Sequence, residues 1–154
     1  MLKLTKKADY GLIAVKHLAE SGESGSCSAK DIAEAYGIPQ PAMAKILQKL
    51  VKSGLLISQQ GINGGYVLAR DAKNISALEV IKAIDGPLFI TSCADEKQGC
   101  YQGHKCTVRE PLRKVNQSIQ QVLGRLSIAD MKEQPREAEE KSRIDQRELV
   151  TLNR

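Results

Sequence analysis

Ser28-Ala-Lys-Asp-Ile-Ala-Glu-Ala-Tyr-Gly-Ile-Pro-Gln-Pro-Ala-Met-Ala-Lys-Ile-Leu-Gln-Lys-Leu50, followed after a short link by Leu55-Leu-Ile-Ser-Gln-Gln-Gly-Ile-Asn-Gly-Gly-Tyr-Val-Leu-Ala69, decides the fold of this 154-residue chain. Ser28 suits the cap of a short helix, with Asp31 as its reciprocal partner. Ile32, Ala33 and Tyr36 are expected to face inward. Gly37 ends that helix in a tight turn. Pro39 and Pro41 suit the start of the next helix, where no intrahelical amide bond is lost. Met43, Ile46, Leu47 and Leu50 then recur at i, i+3, i+4, i+7, an amphipathic helix. Its outer face carries Gln40, Lys45, Gln48, Lys49 and Lys52. The runs Leu55-Leu-Ile-Ser-Gln and Tyr66-Val-Leu-Ala are short and β-type. Gly61-Ile-Asn-Gly-Gly65 between them is a hairpin signal.

Working outward, a first helix is expected over Thr5–Ala19, with Leu12, Val15 and Ala19 on one face, and Gly22-Glu-Ser-Gly25 reads as a loop. Helix, turn, helix, then hairpin is the order of a winged helix-turn-helix, with the hairpin as the wing. The fold class is mostly α with a small β-hairpin. A fourth helix opens at Ser76, where Glu79 completes a capping box, and Leu78, Val80, Ile81 and Ile84 form its apolar face. Asp85-Gly86-Pro87 ends it. A long helix then runs from about Val108 to Leu126. Val108, Leu112, Val115, Ile119, Val122 and Leu126 alternate in steps of four and three, a heptad seam that fits a two-fold homodimer. The domain reading is 1–86 winged helix-turn-helix, 87–107 cysteine loop, 108–131 dimerisation helix and its end, and 132–154 a disordered tail. About half of that tail is charged.

Composition narrows the partner. The chain carries a net charge of +5, and residues 1–70 hold nine Lys/Arg against five Asp/Glu. Between Glu34 and Asp71 there is no acidic residue. A basic, acid-free surface is the electrostatic footprint of a polyanion partner, here double-stranded DNA. Apolar residues make up 42% of the chain and aromatics only 3%, so the core is Leu, Ile, Val and Ala. No apolar run is long enough for a membrane span, and the N-terminus lacks a secretory apolar stretch. A cytoplasmic, reducing compartment is the expectation.

Three of the four cysteines, Cys93, Cys100 and Cys106, fall within fourteen residues. Gly99 and Gly103 let the backbone fold tightly, so three sulfurs can converge. Three thiolates suit a soft metal or an iron–sulfur cluster. Zinc, with His104 as fourth ligand, and plain thiol–disulfide sensing are the rival readings. Cys27 stands alone and reads as a small, partly buried apolar residue, and His17 as a surface residue. No phosphate loop, supported Ser-His-Asp order or metal-hydrolase motif is present, so an enzyme is not expected.

These pieces resemble the winged-helix iron–sulfur regulators typified by IscR and NsrR, the Rrf-two superfamily. The resemblance covers about residues 1–131. It rests on Leu2-Lys-Leu-Thr5, Ala8-Asp9-Tyr10-Gly11-Leu12, Asp31-Ile-Ala, Gly37-Ile38, Gly54-Leu55, Gly64-Gly65-Tyr66, the three-cysteine loop, and Ser127-Ile-Ala-Asp130. Asp85-Gly86-Pro87 and Cys106-Thr-Val-Arg109 look like the branch controlling the sulfur-mobilisation (Suf) cluster-assembly machinery. The resemblance implies a dimeric transcription regulator with one iron–sulfur cluster per subunit, 2Fe–2S rather than 4Fe–4S. Cys93, Cys100 and Cys106 match its three thiolate ligands. IscR-type members use a histidine three residues after the last cysteine, where this chain has Arg109. NsrR-type members use an aspartate from the partner subunit, and Asp9 sits at that position. His104 and an exogenous ligand remain the other candidates. Aligned on the family, Gln40, Lys45, Gln48 and Lys49 of the recognition helix and Gln59, Gln60, Asn63, Gly64 and Gly65 of the wing are the expected DNA contacts. Many relatives carry an arginine where this chain has Gln60, and larger polar residues at Ala42 and Ala44, which leaves the operator open.

Overall fold

The computed structural model describes residues 3–22, 25–91 and 100–132. Cys93 and the tail beyond Lys132 lie outside the described residues. Helix α1 spans Lys6–Glu20, and its cap is Thr5, whose hydroxyl accepts from the Ala8 amide at 3.1 Å. Helix α2 spans Ala29–Tyr36. Both arms of its capping box form: the Ser28 hydroxyl accepts from Asp31 N, and the Asp31 carboxylate accepts from Ser28 N. The Ser28 hydroxyl also donates to the Asp31 carboxylate at 2.7 Å, and this bond first and the Ser28 amide second hold the Asp31 carboxyl below its ordinary value. Gly37 closes α2 at φ 63°, a left-handed position where a Cβ would be strained. Helix α3, Gln40–Lys52, starts from Pro39, with Pro41 in its first turn.

Strands β1 (Leu56–Gln59) and β2 (Gly65–Leu68) pair antiparallel, from Leu56 opposite Leu68 to Gln59 opposite Gly65. Cys27 joins the hairpin through an isolated antiparallel bridge to Tyr66 of β2. Its amide donates to the Tyr66 carbonyl at 3.2 Å, and the Tyr66 amide donates to the Cys27 carbonyl at 2.9 Å. Cys27 is half-buried as expected, but its backbone anchors the hairpin to the segment before α2.

Helix α4 spans Ala77–Asp85, capped by Ser76 and Glu79 as expected, and helix α5 spans Arg109–Arg125. One core joins α1 to α4 and the strands. Val15, Ile32, Met43, Leu47, Leu50, Ile75 and Val80 are fully buried in it. The chain after α5 returns to this core. Ala77 N donates to the Leu126 carbonyl and Ile128 N to the Ile75 carbonyl, both at 2.8 Å, and Ile128 is fully buried. No described helix is long and apolar enough to cross a membrane.

Three expectations need correction. Tyr36 does not face inward; it is 43% exposed. The α2 helix has only two turns, and Ile32 and Ala33 already fill the space below it. His17 is half-buried rather than a free surface residue, and its Nδ1 lies 3.1 Å from the Tyr36 hydroxyl. The inward face of α1 is also wider than Leu12, Val15 and Ala19. Ala8, Gly11, Ala14 and Leu18 are buried while Leu12 is half-buried, because α1 is packed by α3, α4 and β2.

Candidate nucleic-acid interface and cysteine loop

Helix α3 divides cleanly. Met43, Ile46, Leu47 and Leu50 are buried, while Gln40, Lys45, Gln48 and Lys49 lie on the exposed side. Pro39 supplies no side-chain cap, Pro41 has no amide hydrogen, and Ala42 N donates to the Pro39 carbonyl at 3.0 Å, so of the first turn's amides only that of Gln40 lacks a helical partner. Amide, ammonium and carboxamide donors on one exposed helix face suit phosphates and base edges in a major groove. Lys49 differs from its neighbours. Its ammonium donates to the Ile84 carbonyl at 2.9 Å, at the C-terminus of α4, where a cation complements the helix dipole. The structure therefore groups Gln40, Lys45 and Gln48 by exposure and gives Lys49 an internal partner.

The wing is stiffened by close backbone approach. A Cβ on Gly64 would fall 2.7 Å from the Gln59 carbonyl oxygen, and one on Gly65 would fall 2.6 Å from that of Cys27. Only glycine fits at either position. Gln59, Gln60 and Asn63 are exposed at the tip.

Of the cysteine loop, the described part begins at Cys100. Turns closed by Gly103 N on the Cys100 carbonyl at 3.1 Å and Lys105 N on the Gln102 carbonyl at 2.9 Å lead to Cys106 and the foot of α5. Cys100 is exposed, Cys106 is half-buried, and both are free thiols. His104 is exposed. The Arg109 guanidinium reaches within 3.9 Å of where a Gly103 Cβ would stand, so a cation sits against this turn. Among the described residues, no group of three or more His, Cys, Asp and Glu converges as a metal site. The two soft thiols at either end of these turns are nonetheless the right donor chemistry for iron or zinc. Asp9 is exposed in the first turn of α1.

The root of the loop is tied to three helices. Thr5 Oγ donates to the Asp85 carboxylate at 2.7 Å, joining the start of α1 to the end of α4. Lys49 joins α3 to the same end. On α5, Asn116 Oδ1 accepts from Ile90 N at 3.0 Å, and Gln120 Nε2 donates to the Leu88 carbonyl at 2.8 Å. Asn116 is the only buried polar side chain among the described residues. Sequence reasoning missed Asn116 and Gln120. Their i, i+4 spacing beside the apolar seam is the signal that marks them.

The seam itself is half uncovered. Leu112, Ile119 and Leu126 are half-buried, while Val108, Val115 and Val122 are 55, 47 and 67% exposed. These three valines, seven residues apart, form an apolar stripe along α5.

Comparison with known proteins places this architecture. The model of the Rrf2 family, described as iron-dependent transcriptional regulators, matches residues 4–134. The chain is 33% identical over 130 residues to the HTH-type transcriptional regulator IscR of Xenorhabdus nematophila, covering 84% of this chain and 79% of that protein. Among solved structures, T. potens IscR aligns with a TM-score of 0.68 at 32% identity, covering 84% of this chain and 85% of that one. CymR, the global cysteine regulator of B. subtilis, aligns with a TM-score of 0.73 at 26% identity, over 85% of this chain and 96% of that one.

Proposed function

This chain belongs to the Rrf2 family of transcriptional regulators, and we propose that it is a cytoplasmic homodimer that binds operator DNA and senses iron–sulfur status through its cysteine loop. Its targets are genes of iron–sulfur cluster assembly. The observation that carries this reading is the placement of Cys100 and Cys106 at the two ends of a short run of turns at the foot of α5, the helix that also bears the uncovered valine stripe.

Cys93, Cys100 and Cys106 would hold a 2Fe–2S cluster, with Asp9 of the partner subunit as the fourth ligand. When bound, such a cluster supplies a centre that responds to iron, oxidants and nitric oxide. Arg109 beside the turn offsets the negative charge of the thiolates. The valine stripe, joined by Leu112, Ile119 and Leu126, packs against its two-fold copy. Gln40, Lys45 and Gln48 enter the major groove, one α3 per half-site, and Gln60, Asn63, Gly64 and Gly65 flank it. Thr5, Lys49, Asn116 and Gln120 hold the loop's root against α1, α3 and α5, so a rearranged loop bears directly on the base of the recognition helix. A coupling of a few kcal/mol is enough, since about 1.4 kcal/mol is tenfold in affinity.

The test is a visible spectrum with iron and acid-labile sulfide analysis of anaerobically purified protein. One cluster per subunit is expected. Cys93→Ala, Cys100→Ala or Cys106→Ala should each abolish it, and Cys27→Ala should not. Asp9→Ala should alter the spectrum or lability of the cluster while His104→Ala leaves both unchanged. Stoichiometric zinc, or a disulfide that forms reversibly without metal, would replace the cluster reading with one of its rivals.

A further inference from the structure

Ile62 occupies the tip of the turn joining β1 to β2 and is fully exposed, at 105% of its reference area. Isolated apolar residues on a surface are ordinary, and Ile57 on the outer face of β1, half exposed beside its cross-strand partner Val67, is one of them. Ile62 is different in two respects. A β-branched residue stands in a tight turn, where Gly, Asn, Asp and Ser are the usual choices. It also has no conformational duty there, since Gly61 takes the positive φ of 118° and Ile62 does not.

The tip that carries it is held in place. Gly64 N donates to the Gly61 carbonyl at 2.9 Å, and the Ser26 hydroxyl donates to the Asn63 carbonyl. The bridge between Cys27 and Tyr66 anchors the base. Nor is the tip built for phosphates, because no charged residue occurs between Lys52 and Arg70. A rigid, uncharged projection ending in one branched aliphatic side chain has the chemistry of a wedge.

We propose that Ile62 enters the minor groove at the flank of the operator and wedges against a base-pair step, partly unstacking it. This rests on the reading of α3 and the wing as the DNA-contacting surface. Aliphatic wedges in the minor groove act this way, and the cost of unstacking is lowest at pyrimidine–purine steps. Ile62 thereby makes the protein select a deformable TA or CA/TG step at the flank without a hydrogen bond to any base. Gln59, Gln60 and Asn63 then orient the tip through the groove walls.

The experiment selects binding sites from a random duplex library with the full-length protein. It then measures wild type, Ile62→Ser and Ile62→Leu on the best duplex at fixed salt. 2-Aminopurine is placed at the flanking step. The wild type should enrich a pyrimidine–purine step at the flank and raise the probe's fluorescence on binding. Ile62→Ser should bind roughly 5- to 150-fold more weakly, the range of one mismatched base pair. It should lose the fluorescence rise and the flank preference, and keep the slope of log affinity against log salt, because no phosphate contact is removed. Ile62→Leu should restore all three. Unchanged affinity and flank preference in Ile62→Ser would overturn the proposal. So would a fall in its melting temperature or solution mass, which would assign the residue to folding or to a protein contact. A wild-type chain that enriches no sequence would instead remove the DNA-contacting premise, and the wedge with it.

Discussion

Helices α3 and α5 are written in the same code and end in opposite states. Both are amphipathic, with apolar residues three and four apart. In α3 every member of the set, Met43, Ile46, Leu47 and Leu50, is buried within the subunit. In α5 only Asn116 is buried, and Val108, Val115 and Val122 face solvent. The difference lies in what surrounds each helix. Helix α3 is packed by α1, α2, α4 and β1, whereas α5 touches α4 along one side, where a Cβ on Gly124 would stand 3.6 Å from the Leu78 side chain. An apolar stripe that the subunit leaves uncovered is the surface we propose for a second copy. An apolar stripe that it does cover is a scaffold for the polar face opposite.

The largest effect should come from breaking the uncovered stripe. Val115→Asp combined with Ile119→Asp should halve the mass measured by analytical ultracentrifugation. Circular dichroism should still show a folded head, and affinity for a two-half-site operator should drop sharply. An unchanged mass would show that α5 does not mediate the dimer.

In α3 the same kind of damage should strike folding instead. Leu47→Ala empties a fully buried site and should cost about 2–5 kcal/mol in urea unfolding. A loss of oligomer without loss of stability there would invert the comparison.

Lys49 sharpens it further. Lys49→Ala removes the hydrogen bond to Ile84 and should destabilise the subunit by about 1 kcal/mol. It should leave the salt slope of DNA binding nearly unaltered. Lys45→Ala should do the reverse, keeping stability and lowering the slope by about one unit. Equal salt slopes for the two variants would place both side chains on phosphate.

The smallest effect is on acid stability. Asp31, Glu79 and Asp130 are all held below their ordinary carboxyl values: Asp31 by Ser28, Glu79 by the Ser76 amide and then Arg70, Asp130 by Ser127. A depressed folded value means the unfolded chain takes up protons first. These groups thus contribute their full stability above about pH 5 and lose it as the pH falls through the depressed values. Glu79→Gln keeps a cap acceptor but cannot titrate, so its melting temperature should fall less steeply below pH 4.5, the ordinary glutamate value. An acid slope identical to wild type would show that the cap carries no linked proton.

By itself the sequence determined the head. Caps at Ser28 and Ser76, the Gly37 turn and the prolines opening α3 are local devices, and each acts through residues within about four positions of itself. The proposal that Cys93, Cys100 and Cys106 act together also comes from the sequence, where they fall within fourteen residues. Tertiary structure alone decided the rest. It turned Tyr36 outward onto His17, gave Lys49 a carbonyl on another helix, bridged Cys27 to the hairpin, and buried Asn116 against the Ile90 amide. It also left Ile62 standing free at the wing tip. A helical period reports that a face is apolar. It does not report whether the subunit or its partner covers that face, because coverage depends on elements packed from far along the chain.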